Sequence, residues 1–155
     1  MENSVRFMTF ASMSITWETG GDRSGGYTND PKDAGGETKW GISKNKHPHL
    51  SIKSLTFNDA LRIYQNEYWN DKYDYIADTA LAFKLFDMGI NNGVKTAVKK
   101  LQKAVKASGK AIKADGVFGN ITLAAVNDCD ATILYQAYID ALEKRYRHSH
   151  LPQRE

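Results

Sequence analysis

Cysteine is nearly absent from this chain of 155 residues, since Cys129 is the only one. A single thiol excludes an internal disulfide framework and zinc sites built from several cysteines, and it is typical of proteins made in a reducing compartment. No run of 18 apolar residues occurs either, so no segment has the composition of a membrane-spanning helix. Glu2 and Arg6 interrupt the apolar start, and no small-residue cleavage site follows it. We therefore expect neither a signal peptide nor stable membrane insertion.

A strong excess of one charge is also missing. Lys and Arg number 21 against 18 Asp and Glu, a net charge of +3, which is milder than in most nucleic-acid binding proteins. The distribution is less even, because no acidic residue occurs between Met88 and Ala114. Lysines recur there at helical spacing and form what we call the basic face: Lys95, Lys99, Lys103, Lys106, Lys110 and Lys113. This face is either the solvated side of a helix or a surface for an anionic polymer such as bacterial cell wall.

Glycine is concentrated near the front, where seven of the twelve glycines fall between positions 20 and 41. Together with Asn29, Asp30 and Pro31 they predict a series of turns, with a short hairpin. Apolar periodicity predicts helices over most of the rest, at 4–18, 58–75, 79–90, 94–107, 119–126 and 131–147. The sequence therefore predicts a mostly α fold with one Gly-rich loop or short hairpin near the N-terminus.

Glu18 occupies the predicted C-terminal end of the first helix, next to Trp17 and at the start of the Gly-rich loop. The negative end of the helix dipole and a neighbouring indole both disfavour an ionised carboxylate, as a general acid requires. The alternative is an ordinary exposed residue at a helix end. The loop also offers groups that could assist Glu18 or bind a sugar ring: Asp22, Tyr27, Asp30, Asp33, Thr38 and Trp40. Each of these has a structural alternative as a turn former or core anchor.

Two long stretches carry a resemblance to a known family. Trp17-Glu18 followed by GGYTNDPKDAGGETKWGIS at 25–43 resembles glycoside hydrolase family 108, whose members are N-acetylmuramidases and include many phage endolysins. LFDMGINNG at 85–93 and DGVFG at 115–119 resemble the peptidoglycan-binding half that accompanies this family. The resemblance implies a lysozyme-like helical domain, with a catalytic part at 1–92 and a binding part at 93–155 packed as one body.

The resemblance also implies roles for individual residues. Glu18 becomes the general acid that cleaves the β-1,4 bond between N-acetylmuramic acid and N-acetylglucosamine. Asp30 and Thr38 become supporting catalytic groups, and Tyr27, Asp33 and Trp40 substrate-binding residues. In the family the glutamate adjoins the two glycines, whereas the six residues at 19–24 intervene here. This leaves open which of Asp22, Asp30 and Asp33 assists Glu18.

Cofactors and partners follow from the same resemblance. We expect no organic cofactor and no metal, because the pair His47 and His49 lacks the helical spacing and adjacent glutamate of metallopeptidases. We expect a monomer that acts on peptidoglycan, with no nucleic-acid partner. We also expect it to accumulate in the host bacterial cytoplasm until a separate holin-type protein releases it to the wall. The alternatives are a non-catalytic peptidoglycan-binding module and, ranked last, a basic-helix protein that binds nucleic acid.

Overall fold

A computed structural model describes residues 3–32 and 35–150, with side chains through residue 143. The described residues form six α-helices and one two-stranded sheet, which confirms the mostly α, lysozyme-like class with a short hairpin. The helices are α1 (Val5–Thr19), α2 (Phe57–Glu67), α3 (Thr79–Asn92), α4 (Val94–Ala107), α5 (Asn120–Asp128) and α6 (Ala131–His150). The strands are β1 (Thr38–Lys39) and β2 (Ile42–Ser43). The chain divides into two compact units, one ending at Trp69 and the other beginning at Asn70.

Helix α1 supplies much of the core of the first unit. The Ser4 hydroxyl caps its start by accepting a hydrogen bond of 3.0 Å from the amide of Phe7, which satisfies one of the free amides of a first turn. The rings of Phe7 and Phe10 are buried and lie edge-on to Trp69, at centroid distances of 5.4 and 6.2 Å. These contacts fix the helix, so its C-terminal end has a defined position.

The Gly-rich segment ends in a tight antiparallel hairpin. Strand β1 pairs with β2 in the register Thr38 to Ser43 and Lys39 to Ile42. The two turn residues, Trp40 and Gly41, have φ angles of 55° and 76°. Positive φ at both central positions matches the right-handed twist of the strands. Trp40 is the only non-glycine residue with positive φ in the part of the chain that the structure describes.

Helix α2 is shorter than the sequence predicts. The capping box of Thr56 and Asp59 is present, but the helix ends at Glu67 and the chain continues as a 3₁₀ helix at Asp71–Tyr75. The Asn70 side chain accepts a hydrogen bond of 2.9 Å from the amide of Lys72. Asn competes for backbone amides in this way and favours starting a new turn over continuing a helix. The predicted single helix over 58–75 is therefore wrong in its second half.

In the second unit, α4 packs against α3, α5 and α6. Val98, Leu101 and Val105 recur at helical spacing along α4 as an apolar stripe, and all three are fully buried. Tyr138 of α6 is buried as well, and its hydroxyl donates a hydrogen bond of 3.0 Å to the carbonyl of Ala97. Within the described residues, no helix has both the length and the apolar character needed to cross a membrane.

Candidate active site

Glu18 lies in the last turn of α1, one residue before the helix ends at Thr19. Gly20 follows in the left-handed conformation, with φ 63° and ψ 23°, and its amide bonds back to the carbonyls of Thr16 and Trp17. This is the common way in which glycine terminates a helix. Glu18 is exposed, and so is Trp17, at 86%. The helix end therefore presents a carboxylate to solvent directly before the Gly-rich loop.

The hairpin turn is packed against the side chain of Glu18. A methyl group on Gly41 would lie 3.3 Å from Cγ of Glu18 and 3.4 Å from its Cβ, and it would overlap the hydroxyl of Tyr64. That hydroxyl donates a hydrogen bond of 3.1 Å to the carbonyl of Trp40. Only glycine fits at position 41, because the backbone has positive φ and three groups meet there. The stem of Glu18 is thus held against the turn that follows Thr38 and Lys39.

Backbone hydrogen bonds join the segment that begins with Gly25, Gly26 and Tyr27, which we call the Gly-Gly-Tyr element, to the same hairpin. The amides of Thr28 and Thr38 each donate to the other residue's carbonyl, at 3.0 and 2.9 Å, and the amide of Trp40 donates to the carbonyl of Gly25 at 2.8 Å. The hydroxyls of Thr28 and Thr38 are 2.6 Å apart. The loop is therefore ordered by its own backbone, and the Thr38 hydroxyl has Thr28 as a neighbour.

Tyr27 and Trp40, the two predicted sugar-stacking aromatics, also act as anchors. The hydroxyl of Tyr27 donates a hydrogen bond of 2.6 Å to Oε2 of Glu37. This bond to Glu37 is the main reason why the pKa of Tyr27 is raised. The indole nitrogen of Trp40 donates to the carbonyl of Leu55 at 2.9 Å, and its ring lies edge-on to Phe57. Both rings are half-buried, so anchoring leaves part of each available to a ligand.

The acidic candidates differ in their surroundings. Oδ1 of Asp22 accepts hydrogen bonds from the amide and hydroxyl of Ser24, at 2.9 and 2.7 Å, which lower the pKa of Asp22. Oδ1 of Asp30 accepts one of 2.9 Å from the amide of Lys32 in an exposed turn. Asp33 lies outside the described residues. The structure thus gives both described aspartates a turn-forming role, and the choice of an assisting carboxylate stays a prediction.

A groove of about 360 Å³ runs beside the end of α1. Helix residues form one side, and Trp40 and Phe57 contribute aromatic surface. Asp22 and Arg23 supply the charged groups. Asp22 and Trp40 are the only candidates from the sequence among its described lining residues. The sequence does not single out Arg23 as a groove residue, because an arginine between two turns belongs to no recognisable motif. It does not single out Tyr64 either, because the helical spacing of Tyr64 indicates only a core position.

The histidine pair gives no sign of a metal. His47 is buried, and its Nε2 lies 2.6 Å from Oε2 of Glu67 while its Nδ1 lies 3.3 Å from the carbonyl of Ser43. It therefore ties the segment after β2 to α2. No group of three or more potential metal ligands exists among the residues that the structure describes.

Comparison with known proteins identifies the chain. A solved structure of SagA from Brucella abortus superimposes with a TM-score of 0.72 at 30% sequence identity, covering 91% of this chain and 79% of SagA. Residues 20–93 match the family model described as Glycosyl hydrolase 108. The chain belongs to glycosyl hydrolase family 108. No curated protein sequence matches it.

Membership in glycosyl hydrolase family 108 makes the protein a glycoside hydrolase. Residues 96–150 match a second model, described as Predicted Peptidoglycan domain, and together the two matches make peptidoglycan the substrate. The first match begins at Gly20, two residues after Glu18. The matches meet between residues 93 and 96, whereas the compact units divide after Trp69. The division at 92/93 stays a prediction.

All lysines of the basic face except Lys95 lie within the peptidoglycan-domain match, and the face is only partly free. Lys110 pairs with Asp128, and the stem of Lys95 covers Gly116, where a methyl group would lie 2.5 Å from Cγ of Lys95. Lys103, Lys106 and Lys113 are exposed, and Lys99 is half-buried. Lys95, Lys99, Lys103 and Lys106 lie on α4, whereas Lys110 and Lys113 follow its end at Ala107 and lie outside any helix. A smaller positive surface therefore remains on the helix than the sequence implies.

A buried glutamine holds the turn next to that face. Gln102 is fully buried, and its Nε2 lies 3.0 to 3.1 Å from Oδ1 of Asp115, the carbonyl of Val117 and the hydroxyl of Thr122. Its Oε1 accepts a hydrogen bond of 2.9 Å from the amide of Gly116. One side chain therefore donates a hydrogen bond to a carbonyl of the turn and accepts one from an amide of the turn. The DGVFG motif at 115–119 marks this segment in the sequence, but it does not indicate that Gln102 is its buried partner.

Proposed function

We propose that this family 108 enzyme cleaves the β-1,4 bond between N-acetylmuramic acid and N-acetylglucosamine, with Glu18 as general acid. The observation that carries the proposal is the contact between the stem of Glu18 and Gly41. It places the exposed side chain of Glu18 beside the hairpin, and a general acid must reach the glycosidic oxygen in a defined geometry. Glu18 would protonate this oxygen while an oxocarbenium-like centre develops.

The supporting residues follow the sequence prediction. Asp30 and Thr38 are proposed to help position the attacking water or stabilise the developing charge, and Tyr27, Asp33 and Trp40 to contact the glycan. The fixed indole of Trp40, in the groove beside the end of α1, favours its part of this proposal. Aromatic surface combined with a few polar groups is typical of ligand sites.

The proposal extends to the biological setting, on the strength of the endolysin resemblance alone. The enzyme would accumulate in the host bacterium and reach the wall after a separate holin-type protein has opened the membrane. This makes host lysis the outcome of wall cleavage.

Glu18→Gln tests the catalytic assignment. The amide keeps the shape of the side chain but cannot donate the acid proton, so clearing of permeabilised cells should slow by about 10²- to 10⁴-fold. Glu143→Gln is the matched control, because it removes an exposed carboxylate from α6 and should clear cells at the wild-type rate. Clearing by Glu18→Gln at the wild-type rate would show that Glu18 is not the general acid. Sacculus binding without clearing by the wild type would favour a non-catalytic wall-binding module.

A further inference from the structure

The six residues that separate Glu18 from the Gly-Gly-Tyr element form part of the groove beside α1. Thr19, Asp22 and Arg23, all from this segment, line it together with Trp40 and Phe57. A segment that lies next to the proposed acid and lines this groove is well placed to change which substrates bind.

The segment of residues 19–24 is internally fixed. Besides the two hydrogen bonds from Ser24 to Oδ1 of Asp22, the amide of Asp22 donates to the carbonyl of Thr19 at 3.2 Å, and the amide of Gly25 donates to the carbonyl of Asp22 at 3.1 Å. The carboxylate of Asp22 is thus used to shape the turn. A preorganised turn lowers the entropic cost of binding a ligand.

Arg23 is exposed, and its guanidinium has no hydrogen bond or ion pair among the described residues. Its neighbour Asp22 is bonded to Ser24. An arginine side chain offers a planar set of donors that matches a carboxylate with two parallel hydrogen bonds. The groove therefore combines a fixed indole with a guanidinium that can bind an anionic group.

Peptidoglycan presents this combination of chemistry. Its sugar rings have apolar faces, its muramyl residues bear peptide stems, and those stems carry free carboxylates. We propose that the groove is a subsite for a stem-bearing muramyl residue, with the sugar against Trp40 and a stem carboxylate on Arg23. This inference rests on the proposed function and adds that the enzyme distinguishes peptide-substituted glycan from bare glycan.

Steady-state kinetics on two substrates test the subsite. One is uncrosslinked glycan strands with intact peptide stems, and the other is the same strands stripped of stems by an amidase. Arg23→Gln should raise KM about three- to tenfold on the stem-bearing strands, the range of an exposed or partly desolvated charged contact, with kcat unchanged. On stripped strands its KM should equal that of the wild type. Arg23→Lys should recover part of the loss.

Arg62→Gln serves as the control, because it removes an exposed guanidinium from α2 in the same unit and should change neither KM. An equal rise in KM on both substrates, or no rise on either, would overturn the subsite. A different result would contradict the proposed function: Glu18→Gln would show the wild-type kcat on both substrates. A stem-dependent KM effect of Arg23→Gln would support the subsite even then.

Discussion

Two turns of this protein are held in place by opposite means. In the first unit, the turn at Trp40 and Gly41 fits only because position 41 has no side chain, so that Glu18 and Tyr64 can reach the backbone. In the second unit, the turn at Asp115–Val117 is held because a long side chain, Gln102, reaches it from α4. The first arrangement places a side chain at a candidate active site, and in the second a buried side chain satisfies backbone groups of a turn at the surface.

The difference explains what each region tolerates. A turn held by close contact fails when an atom is added, because backbone and side chains must move apart. A turn held by the side-chain amide of a buried glutamine fails when that amide is removed, because the groups that were bonded to it lose their hydrogen bonds. The first failure should affect both catalysis and stability, and the second should affect stability alone.

The largest effect is expected from Gly41→Ala. The new methyl group would meet Glu18 and Tyr64 at a residue whose φ is 76°, so we expect a loss of about 2 to 4 kcal/mol in the free energy of unfolding. Displacement of Glu18 should also lower kcat about 100-fold. Urea unfolding and initial rates on soluble glycan strands measure both.

Gly20→Ala is the matched control for this comparison. Gly20 has φ 63° and open space where a Cβ would stand, so alanine there adds conformational strain without a clash. It should cost about 1 to 2 kcal/mol and leave kcat within a few-fold of wild type. Equal kcat values for the two variants would show that the contact with Glu18 does not position it.

Gln102→Leu should act on stability. Leucine fills a similar volume but leaves the amide of Gly116 without its partner and removes one of the two hydrogen bonds to the carbonyl of Val117, at a cost of about 1 to 3 kcal/mol. The midpoint of urea unfolding reports this loss, while kcat measured well below that midpoint should match wild type. A stable variant would mean that water or a rearranged turn replaces the glutamine.

The smallest effect concerns the basic face. Lys99→Glu with Lys103→Glu reverses two charges on α4 and should weaken binding to purified sacculi a few-fold at low salt, with the difference shrinking as salt screens it. Pull-down at two ionic strengths measures it, and Lys32→Glu with Lys46→Glu, two exposed lysines of the first unit, controls for net charge. An equal effect of the control pair would assign the binding to overall charge, and tight binding to duplex DNA in moderate salt would revive the nucleic-acid alternative.

The two regions were also unequally predictable. Helix α4 was predicted with its observed bounds. Val98, Leu101 and Val105 form an apolar stripe at helical spacing, and a glycine beyond each end marks where the helix stops. The predicted continuation of α2 past Glu67 was wrong, since a local hydrogen bond of Asn70 outweighs apolar periodicity. The sequence predicts a candidate site at the end of α1 and in the Gly-rich loop, but the close approach of Glu18 to Gly41 joins residues distant in sequence. No periodicity encodes such a contact.

Mass spectrometry of the reduced digestion products tests the central claim most directly. Sacculi are digested with the wild-type enzyme, treated with borohydride and analysed for the sugar at each new reducing end. We predict reduced N-acetylmuramic acid with its stem peptide intact, released at least about 100-fold more slowly by Glu18→Gln. New reducing ends on N-acetylglucosamine, or muramyl ends released equally by Glu18→Gln, would contradict it.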